Sequence, residues 1–312
     1  MGVYNYLGEA LVNDLPIVNV KDYGAQGDGT TIDTSAIQQA ISSVSSLGGV
    51  VYFPSGVYLL DASVLFYSNQ QLVFEPGAVL KQGAAINNLL MTYCAADTTV
   101  YNGTHDCVIF GATFDGSTYT TNNTLVGLVH AKNITFENCK FFNAYGTWHN
   151  IEINSSYNVK LINCEFEGSR KTGANGEMIQ IDAINNADTW PWDSNRGQID
   201  GTVSKCIEIC GCLFRDNTVT PAIGNHSQII NQYINIHDNT FVGLTTTRGV
   251  INLQNSLYVD VHNNVFDGCT TCVSSYGPTH WVHDNAFVSV TTAASGSSSI
   301  VHNNIINGTY TA

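Results

Sequence analysis

Apolar and polar residues alternate over most of this chain, in short runs broken by Gly, Asn, Asp and Ser. The period is two, which predicts strands with one buried face. One block of this kind recurs at residues 107–114, 134–141, 159–166, 207–214, 234–241, 259–266, 280–287 and 299–306, with starts spaced 27, 25, 48, 27, 25, 21 and 19 residues. Each copy reads as a strand, a turn and a second strand led by Phe. A unit of this length that can bury its apolar side only by stacking on a copy of itself is a solenoid coil. The spacing of 48 is one coil plus an insertion of roughly twenty residues.

Aligning the blocks predicts columns of like side chains about 4.8 Å apart. The eighth position stacks Phe114, Phe141, Phe166, Phe214, Phe241, Phe266 and Phe287 in the core. The sixth holds Cys139, Cys164, Cys212, Asn239, Asn264, Asn285 and Asn304, an inward ladder at the turn. The fourth holds His237, His262, His283 and His302. Zinc needs converging tetrahedral ligands. The histidines lie on successive coils with no added carboxylate or cysteine focus, so they read as a solvated ladder and no metal site is expected.

The N-terminal part has a different rhythm. Residues 1–18 are an irregular lead-in. Ala36, Ile37, Ala40 and Ile41 then recur at helical spacing, so residues 34–46 read as a short amphipathic helix, N-capped by Asp33 or Thr34 and ended by Gly48-Gly49. Strands at 50–53 and 57–60 follow around a Pro54-Ser55-Gly56 turn. The stretch Asn19-Val20-Lys21-Asp22-Tyr23-Gly24-Ala25-Gln26-Gly27-Asp28-Gly29-Thr30-Thr31-Ile32-Asp33-Thr34-Ser35, continued to Leu60, resembles the N-terminal cap of the pectate-lyase-like right-handed parallel β-helices. Polygalacturonase-related hydrolases and phage tailspike depolymerases belong to that superfamily. The resemblance implies an all-β, single-stranded right-handed parallel β-helix with a short capping α-helix. It covers about 40 residues and concerns fold, so Asp22, Asp28 and Asp33 are read as structural. The expected organisation is one domain over 1–312: lead-in and cap to residue 60, then coils, with the insertion at about 185–205.

Composition narrows the partners. The chain has 312 residues, 44% apolar but only 12% charged, and a formal net charge of -14. An acidic surface repels nucleic acid and anionic membranes. There is no run of 18 apolar residues, and Met1–Tyr6 lacks the basic and apolar regions of a signal peptide. The nine cysteines show no framework spacing, and Cys269-Thr270-Thr271-Cys272 lacks a thioredoxin-like setting, so they read as packing residues.

A further strand precedes most blocks, and here the chemistry gathers. Its copies lie at 148–154, 176–182, 225–230 and 248–254. With Ile151/Ile153, Ile179/Ile181 and Ile251/Leu253 inward, one outward column contains Glu152, Gln180 and Asn252, and the next Asn154, Asp182 and Gln254. His149, Glu177, His226 and Arg248 lie at the strand entrances. Clustered ionisable groups shift one another's pKa and serve acid–base chemistry. Glu177 and Asp182 are about 16–17 Å apart along one extended strand, too far for a direct pair. The site must therefore cross coils: Glu177 with Glu152 or His226, and Asp182 with Asp193 or Asp200. Trp148, beside Tyr145, together with Trp190 and Trp192 of the insertion, offers faces for sugar rings. Arg170, Lys171, Arg196 and Arg248 concentrate scarce positive charge nearby, suited to an acidic group on a glycan.

These features predict an enzyme acting on a polysaccharide, most simply a glycoside hydrolase using Glu177, Asp182, His226 and Glu152 without metal or cofactor. Gln180, His149, Trp148, Trp190, Trp192, Asp193, Arg170, Lys171, Arg248 and Asn252 would bind substrate. The alternatives are a lyase on a uronic-acid glycan and a non-catalytic binding or structural β-helix of a phage tail or adhesin. The chain lacks the paired-aspartate and Gly-His-Gly motifs of polygalacturonases and the calcium-ligating aspartates of classical pectate lyases. A polysaccharide substrate implies an extracellular or virion-associated protein, and a tailspike relationship would imply a homotrimer.

Overall fold

The computed structural model describes residues 15–168, 170–172, 176–185, 196–226, 230–254, 256–275, 279–295, 299–307 and 309–311. Among these, three long sheets of eleven, twelve and nine strands wind together as a right-handed parallel β-helix. Sheet 1 takes the first strand of each block, from His105–Phe110 through Lys205–Cys210 and Gln232–His237 to Ser299–His302. Sheet 2 takes the second strands. Sheet 3 collects the strands that precede the blocks, including Ile151–Asn154, Ile179–Asp182, Ile223–Gly224 and Ile251–Leu253.

The blocks stack in the register that alignment predicts: Ile134, Val159, Ile207, Ile234 and Val259 are successive partners in sheet 1. Their fifth position explains the corner between sheets 1 and 2. It is Gly111, Asn138, Asn163, Gly211, Asp238, Asn263, Asp284 and Asn303, all at φ between 53° and 77°. Only Gly, Asn and Asp adopt this left-handed conformation at little cost. The next residue turns inward. Asn264 is typical: its Oδ1 accepts from the Asn239 backbone N–H (3.0 Å), and its Nδ2 donates to the Ile236 carbonyl (2.8 Å). The ladder thus satisfies backbone groups that a tight corner would otherwise bury unpaired. Beside it the phenylalanines stack with centroids 4.6–5.0 Å apart, in one continuous apolar core.

Three details differ from the sequence reading. The helix is Thr34–Ser43, ending before 46. Asp33 is its N-cap by position, but its carboxylate accepts from the backbone N–H groups of Gln26 and Gly27, tying the preceding turn. In the coil after the insertion, the sheet 3 strand is Ile223–Gly224, with Ile223 opposite Ile179, in place of the expected 225–230. All nine cysteines are free, and Cys269 and Cys272 are buried. No helix among the described residues is long and apolar enough to cross a membrane.

Candidate active site on the outer face of sheet 3

Sheet 3 sends alternate residues outward. One column reads Gly127, Glu152, Gln180, Gly224, Asn252 and Ser274, and the next includes Val129, Asn154 and Asp182. The corrected register carries His226 past the end of its strand into this second column. His226 Nδ1 therefore lies 2.7 Å from Asp182 Oδ2 instead of pairing with Glu177. Gln180 Nε2 also donates to Asp182 Oδ2, at 2.7 Å, and lies 3.0 Å from His226 Nδ1. The consistent assignment is two donors on one carboxylate oxygen, with His226 protonated at Nδ1.

Glu177 enters from the strand start and folds over Gly224. A Cβ there would stand 2.7 Å from Glu177 Cγ, so the glycine provides the seat. Glu177 Oε1 faces Arg248 at 3.6 Å, and Oε2 faces His149 at 3.8 Å. His149 Nδ1 lies 3.0 Å from the Glu177 carbonyl oxygen, which orients the ring. Glu177 thus meets His149, the neighbour expected at the strand entrance, together with Arg248, while Glu152 and His226 make no direct pair with it but lie close enough to share its field.

These groups are nearly sealed from solvent: Glu152 is 3% exposed, Glu177 0% and Asp182 2%. Burial decides their protonation. It pushes the Glu152 carboxyl up to about 7, with the Asp182 charge adding to the effect, and raises Glu177 as well. The Asp182 carboxylate raises His226 and favours its imidazolium. Burial, then the nearby Lys171, holds His149 well below the usual histidine range, and burial brings Lys171 down to about 7. Among the described residues, Glu152 Oε2, Asn154 Oδ1, both Glu177 carboxyl oxygens, Gln180 Oε1 and Asp182 Oδ1 are buried without a hydrogen-bond donor. Each such acceptor costs roughly 1–3 kcal/mol, and six of the nine found among the described residues fall in this patch.

A polar groove adjoins the cluster on its C-terminal side. Its volume is about 400 Å³, and Thr247, Arg248, Asn252, Gln254, Thr271, Ser274, Thr292 and Ser295 line it. The sequence reading reached Arg248, Asn252 and Gln254 but missed the Thr and Ser residues. Their signal was present: each pair is three residues apart on a short strand one coil further on.

Other predicted site residues make contacts within the scaffold. Arg170 donates to the carbonyls of Ser117, Tyr119 and Asn143 and lies over the Tyr145 ring. Lys171 is buried and donates to the Trp148 carbonyl. Asp200 accepts from the N–H groups of Val100 and Thr202, which removes it as a partner for Asp182. Trp190, Trp192 and Asp193 lie outside the described residues. The returning arm of the insertion lies against the loop after Leu90–Thr92: Gln198 N donates to the Thr98 carbonyl, and the Tyr101 hydroxyl to the Val203 carbonyl.

Known proteins with this architecture include a surface protein and adhesin of Streptococcus pneumoniae, PfbA. Its structure superposes over 94% of this chain and 85% of its own with a TM-score of 0.73 at 24% identity, which speaks for fold. The curated plasmin and fibronectin-binding protein A of that species is 30% identical over 246 residues, 69% of this chain and 34% of its own length, so this chain spans about a third of it. The family 28 exopolygalacturonase of Yersinia enterocolitica shares the fold at 13% identity and a TM-score of 0.51, over 99% of this chain and 83% of its own. Residues 17–312 match the family described as rhamnogalacturonase A/epimerase, pectate lyase-like, and the chain belongs to that family.

Proposed function

We propose that this protein is a glycoside hydrolase that cleaves a polysaccharide on the outer face of sheet 3. The observation that carries this reading is the set of buried acceptors without donors on Glu152, Asn154, Glu177, Gln180 and Asp182. Buried carboxylates kept short of donors are poised for proton transfer, and His226, whose side chain is 49% exposed, opens the cluster to a sugar. The adjoining hydroxyl- and amide-lined groove extends along the stacked coils and suits the rest of a glycan chain.

Glu152 and Asp182 take the two chemical roles. Glu152, held protonated towards neutral pH, donates its proton to the glycosidic oxygen as the bond to the anomeric carbon breaks. Asp182 Oδ1, with Oδ2 fixed by His226 and Gln180, accepts a proton from the attacking water. They lie on neighbouring coils offset by two residues, roughly 8 Å apart at the backbone, within reach of the separations such pairs use. Glu177 faces Arg248 and so helps place the guanidinium that lines the groove. A polysaccharide substrate places the protein outside the cell or on a virion, in keeping with its likeness to a surface adhesin.

The test is incubation with a panel of neutral and acidic glycans, following reducing ends and the absorbance of unsaturated sugars together. Hydrolysis yields reducing ends without unsaturation. Unsaturated products would make the protein a lyase, and binding without cleavage would make it an adhesin-like module. Either result overturns this proposal.

A further inference from the structure

The histidine ladder of sheet 1 was read from sequence as lacking a carboxylate or cysteine focus. The fold supplies both at its N-terminal end. Cys210 is the register partner of His237, so the column below the first histidine is a thiol. Glu208 lies two residues before Cys210 on the same outward face. The ligand atoms of Glu208, Cys210 and His237 all lie within 4.8 Å of one another, and all three residues are half-buried.

The surroundings prepare these groups. Asp238 Oδ2 lies 2.7 Å from His237 Nδ1, which leaves Nε2 pointing at Glu208 Oε1, 3.4 Å away. A carboxylate on the far nitrogen of a metal-binding histidine fixes its tautomer and raises its basicity. Lys160 Nζ holds the other Glu208 oxygen at 2.7 Å, so Oε1 is the one turned to the cluster. The higher members of the ladder lack this convergence: His262 faces Asn235, and His283 faces Asp260 and Asp284.

We propose that Glu208, Cys210 and His237 bind one zinc ion on the outer face of sheet 1, remote in the fold from the sheet 3 site, with water as the fourth ligand. Thiolate, imidazole and carboxylate are the donors zinc takes, and three protein ligands with an open position form a complete zinc site. One thiolate and one carboxylate balance the 2+ charge. On binding, the S–H bond breaks, the sulfur pair goes to zinc, and the proton leaves to solvent. The thiol must give up its proton to bind the ion. Affinity therefore rises with pH. The ion would clasp the coils of Lys205–Cys210 and Gln232–His237, the first pair after the insertion.

The experiment titrates the full chain, stripped with chelator, with cobalt(II) as probe. A thiolate-to-cobalt charge-transfer band should appear at one equivalent and vanish on adding one equivalent of zinc. Cys210→Ser abolishes the band, Cys206→Ser retains it, and Asp238→Asn weakens binding by roughly 10-fold. Absence of the band, or its survival in Cys210→Ser, overturns the site. Should Cys210→Ser fail to fold, alkylation of Cys210 in the unaltered protein decides: zinc should slow it at least 10-fold, and an unchanged rate refutes the proposal.

Discussion

The outer faces of sheets 1 and 3 are built on the same lattice, yet they treat charge in opposite ways. On sheet 1 the acids meet cations or imidazoles: Glu208 with Lys160 and His237, Asp260 with His283, Asp238 with His237. The imidazoles stack at 5.0–5.2 Å and keep contact with water. On sheet 3 Asp182 meets His226 and Glu177 faces Arg248 and His149, but the acids are sealed, and among the described residues four of their six oxygens have no hydrogen-bond donor. Residue type does not separate the two faces, since both carry Glu, Asp and His in register. Enclosure and donor balance do. A paired, wet ladder adds little to stability or reactivity. A sealed, donor-poor cluster costs stability and shifts protonation, the pattern expected where a site is kept for chemistry.

Substitution should break this symmetry most strongly in activity. Asp182→Asn and Glu152→Gln are each expected to lower glycan cleavage by about 10²–10⁴-fold, Glu152→Gln without lowering Tm and Asp182→Asn with a lower Tm because it unpairs His226. His262→Gln on sheet 1 should leave cleavage unchanged. Reducing-end assays and thermal melts on the same samples check all three. Full activity in both sheet 3 variants would end the catalytic assignment.

Acidity offers a second lever. Glu152 ionises in the unfolded chain near the ordinary carboxylate value but at about 7 in the fold. The folded state therefore holds the extra proton between these values, and stability falls as pH rises through that window. The loss is on the order of 3 kcal/mol by pH 8. His226 adds stability that is complete below its unfolded pKa and is lost as pH rises through its raised folded value, so it acts in the same sense. Cleavage should fall above about pH 7 as the acid deprotonates. Chemical denaturation at several pH values should show a slope that Glu152→Gln flattens. A wild-type curve rising across that range would mean Glu152 is not held protonated.

The two faces were not equally legible. Columns came directly from the repeat, because the corner needs Gly, Asn or Asp at the fifth position and an inward polar or small residue at the sixth. The Phe stack and the histidine column could therefore be numbered before any coordinates. The carboxylates were assigned to the correct face for the same reason. Their pairing was not legible, because the two-residue strand Ile223–Gly224 offers one apolar side chain, too little alternation to fix its register. A shift there moves His226 from Glu177 to Asp182. The roles of Arg170 and Asp200 were hidden because loop carbonyls and N–H groups, which sequence does not place, claim them.

The scaffold side of the comparison can be tested at its inward ladder. Asn264→Ala would strand the Asn239 N–H and the Ile236 carbonyl inside the corner. A loss of about 2–3 kcal/mol is expected, with glycan cleavage by the folded protein unchanged. Denaturant titration and activity on one preparation separate the two quantities. A large loss of specific activity at full folding would mean that the corner and the sheet 3 face are coupled.

The smallest effect concerns the entrance to sheet 1. Cys206 sits at φ 58°, in the slot where neighbouring coils place Asn133 and Asn158, also left-handed. Those asparagines form a chain: Asn158 Nδ2 donates to Asn133 Oδ1 at 2.8 Å, and Asn133 Nδ2 to Asp106 Oδ1 at 2.6 Å. Cysteine lacks the local hydrogen bonding that eases this conformation. Cys206→Asn should therefore stabilise by up to about 1 kcal/mol and raise Tm by roughly 1–2 °C. On sheet 1, then, stability rises by perfecting a polar ladder, whereas on sheet 3 it rises by removing a charge. A fall in Tm for Cys206→Asn beside a rise for Glu152→Gln would show that only enclosure, and not turn conformation, distinguishes the two faces.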